Sequence, residues 1–151
     1  MRIYMDNCCY YRPFDDQTQD RIRLEADAIL AILTRCDASE WILCGSEVLA
    51  FEMSQTQDES KCKNAMELYN AATEILFVGA QTKQRVAELQ KYGIKLMDAF
   101  HVAIAESENV NVYLTTDKDL IKKAQNSEIG VRVYNPVKWL VEGTENEQSG
   151  G

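Results

Sequence analysis

A single histidine and two prolines stand in the 151-residue chain, and acidic residues outnumber basic ones by 24 to 16. Each shortage excludes something. Five cysteines without a CxxC pair, together with one histidine, support neither a tetrahedral zinc centre nor a disulfide framework. Cys8, Cys9, Cys36, Cys44 and Cys62 are therefore read as free thiols, with the adjacent Cys8 and Cys9 as the remaining redox or ligand candidates. A net charge of -8 opposes broad attraction to a phosphate backbone, so a nucleic-acid partner would have to meet a local cluster of cations. No apolar run approaches the ~20 residues that span a bilayer, and the start, "MRIYMDNCC", lacks the run of a secretory signal. The expectation is a soluble, cytoplasmic protein without a membrane partner.

What is present is an ordinary globular composition, 46% hydrophobic and 26% charged, in which strands and helices alternate. "RIYMD" reads as a strand ending at Asp6, followed by a polar loop, "NCCYYRPFDDQTQD", in which the Arg12-Pro13 step interrupts regular structure. "DRIRLEADAILAILTRC" reads as a helix with Leu24, Ala28, Ala31 and Ile32 on one face. "WILCGS" reads as a buried strand, and "SEVLAFEMSQ" and "DESKCKNAMELYNAAT" as helices, the second with a stripe of Cys62, Met66 and Tyr69 or Asn70. "EILFVG" is a strand, "AQTKQRVAELQKYG" a helix stopped by Gly93, "VNVYLTTD" a strand, "KDLIKKAQ" a helix, "VRVYNP" a last strand and "PVKWLVEG" a last turn or helix. This alternation predicts a three-layer α/β/α domain over residues 1–142 around a mostly parallel sheet, followed by a disordered polar tail over 143–151.

Within "KLMDAFHVAIAE" every residue from Leu96 to Ala105 is apolar except Asp98 and His101, the composition of a helix buried on nearly all sides. An ionised carboxylate there needs a cation, a hydrogen-bond network or a solvent-filled cleft. In an open parallel sheet ligands bind beyond the carboxyl ends of the strands, and the acids collect at that edge. Asp6 ends the first strand, Asp117 ends "VYLTT" with Asp119 two residues on, and Glu52 lies one or two turns beyond "WILCG". Several carboxylates meeting without a cation repel one another, whereas Mg2+ or Mn2+, which prefer oxygen ligands, would hold them ionised.

The pieces "IYMDNCC", "SEVLAFE", "LMDAFHVAIA" and "LTTDKDL" resemble, in content and order, those of the PIN-domain ribonucleases, which include VapC-type toxins of toxin-antitoxin pairs. The resemblance runs from about residue 1 to 140. It implies a PIN-like fold and metal-dependent hydrolysis of RNA phosphodiester bonds with Mg2+ or Mn2+. By position, Asp6, Asp98 and Asp117 would be the main metal ligands, Glu52 would complete the catalytic set, and Asp119 would be an auxiliary ligand. A toxin would further imply a cognate antitoxin covering the acidic cleft, for instance by offering an arginine to the carboxylates. A homodimer would concentrate basic strips around a shared groove.

Each residue also has a plainer reading. Asp98 and Asp117 can cap their helices, and Asp119 can simply occupy a first turn. Glu47 competes with Glu52, which has the family's spacing from Ser46. His101, three residues after Asp98, is read as a core histidine buttressing the sheet in preference to a general base. Arg12 would reach a substrate phosphate or pair with Asp15 or Asp16, and Lys118, with Lys122 and Lys123, would bind substrate or form a solvated helix face. Tyr10, Tyr11 and Phe14 would stack on bases or anchor their loop. Two rival functions remain: a catalytically weak PIN-like binding or regulatory module, and a phosphohydrolase with Asp6 as nucleophile, which would want an acid where Cys8 stands.

Overall fold

Strand β1 (Arg2–Met5) occupies the middle of the sheet, and Ile3, Tyr4 and Met5 have no exposed surface. Successive strand residues face opposite sides, so helices must cover both faces at this strand. The computed structural model that gives this arrangement describes residues 1–142; the tail 143–151, expected to be disordered, lies outside the described residues.

The remaining elements, in chain order, are α1 (Asn7–Tyr11), a 3-10 turn (Arg12–Phe14), α2 (Asp20–Asp37), β2 (Ile42–Ser46), α3 (Glu47–Ser54) and α4 (Glu59–Tyr69). Then follow β3 (Glu74–Leu76), α5 (Ala80–Lys91), α6 (Leu96–Ser107), β4 (Val112–Leu114), α7 (Lys118–Gln125) and β5 (Arg132–Tyr134). A helical segment, α8, covers 136–142. The five strands are ordered β3-β2-β1-β4-β5 and every pairing is parallel. The chain builds outward from β1 in one direction through β2 and β3, then returns to the other side of β1 with β4. Its order reverses between β1 and β4, and a crevice opens beyond the carboxyl ends of strands at such a point.

Three local expectations change. The stretch after Asp6 is helical where a polar loop was expected, because Cys9 and Tyr10 both enter the core with no exposed surface. On α2 the buried stripe is Glu25, Ala28, Ile29, Ile32, Leu33 and Cys36; Leu24 is 55% exposed and Ala31 also faces solvent. The helix is rotated by Glu25, a buried carboxylate held by Arg12, Arg21 and Asn135. On α4, Ala65 and Tyr69 are buried whereas Met66 is exposed.

Two glycines are required by position. Gly93 ends α5 at φ +86°, the left-handed conformation that favours glycine at a helix stop. At Gly45 a Cβ would fall 2.5 Å from Tyr69 Oη, which donates to the Ser46 carbonyl and accepts from the Ser46 amide. This close approach holds the end of β2, and with it the start of α3.

Candidate metal centre

At the end of β1 the Asp6 amide donates to the Leu114 carbonyl of β4 (2.8 Å), and Asp6 Oδ2 accepts from the Thr115 hydroxyl (2.9 Å). The carboxylate thus turns toward the neighbouring strand and leaves α1 without a side-chain cap. Asp6 is 6% exposed. Burial pushes its carboxyl up, with Glu52 adding to the effect; His101 and the Thr115 hydroxyl pull the other way.

Asp117 starts α7 as an N-cap: its Oδ1 accepts from the amides of Asp119 (2.9 Å) and Leu120 (3.2 Å). Its own amide donates to Thr115 Oγ1 (3.1 Å), the hydroxyl that donates to Asp6. Capping uses one carboxylate oxygen and leaves the other available.

Asp98 lies half-buried in the first turn of α6. Burial, then the charges of Asp6 and Asp117, raise its carboxyl to about 6; His101 opposes the rise and Glu52 adds to it. Asp98, Asp117 and Asp119 line one opening with Lys95 and Lys123. Asp119 is exposed and pairs with Lys123 (2.8 Å), which holds its carboxyl below the usual range.

Glu52 projects from α3, whose start is capped by Ser46 Oγ accepting from the Leu49 amide (3.0 Å). Its Oε1 is hydrogen-bonded to His101 Nε2. His101 is fully buried, and its Nδ1 contacts Tyr4 Oη (2.6 Å), which in turn contacts Ser46 Oγ (2.8 Å). One ligand atom each from Asp6, Glu52 and His101 lie within 4.8 Å of one another. Glu47 points elsewhere, accepting from the Val78 amide (2.7 Å) at the end of β3.

Asp6, Glu52, Asp98 and Asp117 therefore share one neighbourhood, and among the described residues no lysine or arginine forms a salt bridge with any of them. Carboxylates gathered this closely repel one another and are a donor set suited to a hard divalent cation, which takes oxygen ligands. A cation there would supply the charge that the chain itself does not.

Arg12 is engaged by acids outside the carboxylate cluster: its guanidinium lies 3.2 Å from both Asp15 and the buried Glu25. Lys118 is exposed at the start of α7. Tyr10 is buried and Tyr11 bonds Thr56 (2.6 Å), so both serve the core and its rim. All five cysteines are free. Sequence reasoning passed over Thr115 and Tyr4: the first stood in view within "LTTD", whereas the second, in a central strand, carries no mark that separates it from a core aromatic.

No protein-family model matches the chain, and no curated protein does. Solved structures match nearly end to end. A chain of VapBC2 from Rickettsia felis, bound to a DNA fragment from its promoter, is 14% identical with a TM-score of 0.60, covering 89% of this chain and 98% of that one. A chain of VapBC-1 from nontypeable Haemophilus influenzae (15% identity, TM-score 0.54) and one of DNA-bound VapBC from Salmonella typhimurium (16%, 0.54) each cover 90% of this chain and 98% of their own. The fold is thus the α/β, parallel-sheet, PIN-like one that the sequence led us to expect.

Proposed function

We propose, from a fold shared with chains of VapBC complexes, that the protein is a Mg2+- or Mn2+-dependent endoribonuclease and the toxin of a toxin-antitoxin pair. The observation that carries this reading is the gathering of Asp6, Glu52, Asp98 and Asp117 at the reversal point of the sheet without a lysine or arginine partner among the described residues. Asp6, Asp98 and Asp117 offer the oxygens that would hold the metal, Glu52 completes the set, and Asp119 is auxiliary. When bound, a divalent ion neutralises charge on a phosphodiester and activates a water molecule.

The chain's own residues handle the substrate. Lys95 and Lys123 line the opening, and Lys118 and Lys122 stand on α7, so a cationic arc borders the acids in a chain whose net charge is -8. Lys118 contacts substrate phosphate. Arg12, held between Glu25 and Asp15, braces α1 against α2.

The same reading includes a cytoplasmic location, a cognate antitoxin that covers the carboxylates with a cationic side chain, and a homodimer. Beside the acids, Val48, Phe51, Val78, Met97 and Phe100 line an apolar depression of about 330 Å³, and Phe51 is 57% exposed. Such a face suits a second copy of the chain. The test is cleavage of single-stranded RNA by purified protein with Mn2+, with EDTA, and by Asp98→Asn. Cleavage by the native chain only, and only with metal, is expected; equal products from Asp98→Asn would refute the assignment.

A further inference from the structure

The buried hydrogen-bond chain behind Glu52 has a direction that donor accounting fixes. The Leu49 amide can only donate, and it donates to Ser46 Oγ. Ser46 is fully buried, and the acceptor beside its own hydroxyl proton is Tyr4 Oη at 2.8 Å. A buried hydroxyl proton left without an acceptor is costly, so Ser46 donates to Tyr4. Tyr4 must then send its proton onward to His101 Nδ1, 2.6 Å away. Nδ1 therefore carries a lone pair, and the ring proton sits on Nε2, where it meets Glu52 Oε1.

We infer that His101 is a positioning residue, locked by Ser46 and Tyr4 in the Nε2–H tautomer, which holds the Glu52 carboxylate beside Asp6 and is not itself a metal ligand. The functional half of this inference rests on the metal-dependent reading above. The competing arrangement, in which His101 joins Asp6 and Glu52 as a third ligand, needs a lone pair on Nε2. Its ring proton would then occupy Nδ1, Tyr4 would have to accept there and donate to Ser46, and the Ser46 proton would lose its acceptor. A ligating carboxylate is commonly steadied by a neighbouring donor, and loss of such a donor weakens metal binding.

The chain has one histidine, so a long-range 1H–15N spectrum of labelled protein reports a single imidazole. A protonated Nε2 and a bare Nδ1 are expected, unchanged on adding Mg2+. A bare Nε2, a mixture of tautomers, or displacement of the Nε2 proton by Mg2+ would overturn the inference. The functional arm measures Mn2+ affinity by calorimetry. His101→Gln can keep an N–H toward Glu52 and an acceptor toward Tyr4, and should bind within a few-fold of the native chain, whereas His101→Leu should lose about tenfold or more. Equal affinities of the two variants would remove the positioning role. Tyr4→Phe, which loses one oxygen, carries the same test if His101→Leu does not fold: it should show mixed tautomers and weaker Mn2+ binding, and native behaviour in both would count against the lock. Absence of Mn2+ binding by the native chain would refute the metal reading and the role of Glu52 within it. Mn2+ binding with His101 in the other tautomer would refute this inference alone.

Discussion

Asp6 and Asp117 are joined through one hydroxyl: Thr115 donates to the Asp6 carboxylate at 2.9 Å and accepts from the Asp117 amide at 3.1 Å. Two acids 111 positions apart in number, one after β1 and one after β4, are thereby held by a side chain that bears no charge. The β1–β4 pairing sets the register, Met5 opposite Leu114, that brings them together.

Thr115→Val keeps the shape of the side chain and removes the bridge. A hydrogen bond to a charged group contributes about 1.5–3 kcal/mol, and metal-free protein should lose stability on that order in urea denaturation at neutral pH. Mn2+ binding should weaken as well, because the Asp6 carboxyl loses a contact that favours its ionised form. A variant as stable as the native chain would show that the bridge contributes nothing.

Asp98 gives a pH dependence of defined sign. Its carboxyl stands at about 6 in the folded chain against 3.8 in the unfolded one, so between these values the folded state holds the proton longer. Metal-free stability should therefore fall as pH rises from about 4 to about 6, and stay reduced above that. Asp98→Asn cannot ionise and should melt at a higher temperature than the native chain at pH 7.5, with the difference vanishing near pH 4. Excess Mg2+ should narrow or reverse the difference by binding only the native chain. A variant that melts lower at pH 7.5 without metal would contradict the placement of Asp98 among like charges.

The Asp98 puzzle was legible in sequence because a carboxylate in an apolar helix needs explaining from composition alone. The strand-end acids followed from the parallel-sheet rule, which turns position in sequence into position in space. Glu25 was not legible. Its burial depends on Arg12 and Asn135 arriving from two other parts of the chain to join Arg21 of the same helix, and apolar periodicity treats a glutamate as solvent-facing. The same limit hid the helical form of "NCCYY", since two cysteines and two tyrosines carry little helical signal until Cys9 and Tyr10 meet the core.

Arg12→Ala separates a brace from a substrate arm. Glu25 is 1% exposed and keeps Arg21 and Asn135 in the variant, so losing one charged hydrogen-bond partner should cost about 1.5–3 kcal/mol and lower the denaturant midpoint. Arg12→Lys should recover part of the loss. Unchanged stability with weakened RNA binding would instead assign Arg12 to the substrate.

The apolar depression beside the acids makes a statement about association. Native protein should run as a dimer in light scattering at micromolar concentration, and Phe51→Glu, which puts charge on the exposed rim, should run as a monomer with its melting temperature little changed. A native monomer would remove the homodimer.

The most direct measurement of the central claim is a titration of metal-free protein with Mn2+, followed by the electron paramagnetic resonance signal of the free ion. Saturable uptake by the native chain is expected, lost in Asp6→Asn and in Asp98→Asn while both variants still melt cooperatively. No saturable uptake by the native chain, or uptake as tight in both variants, would contradict a metal centre built from these carboxylates.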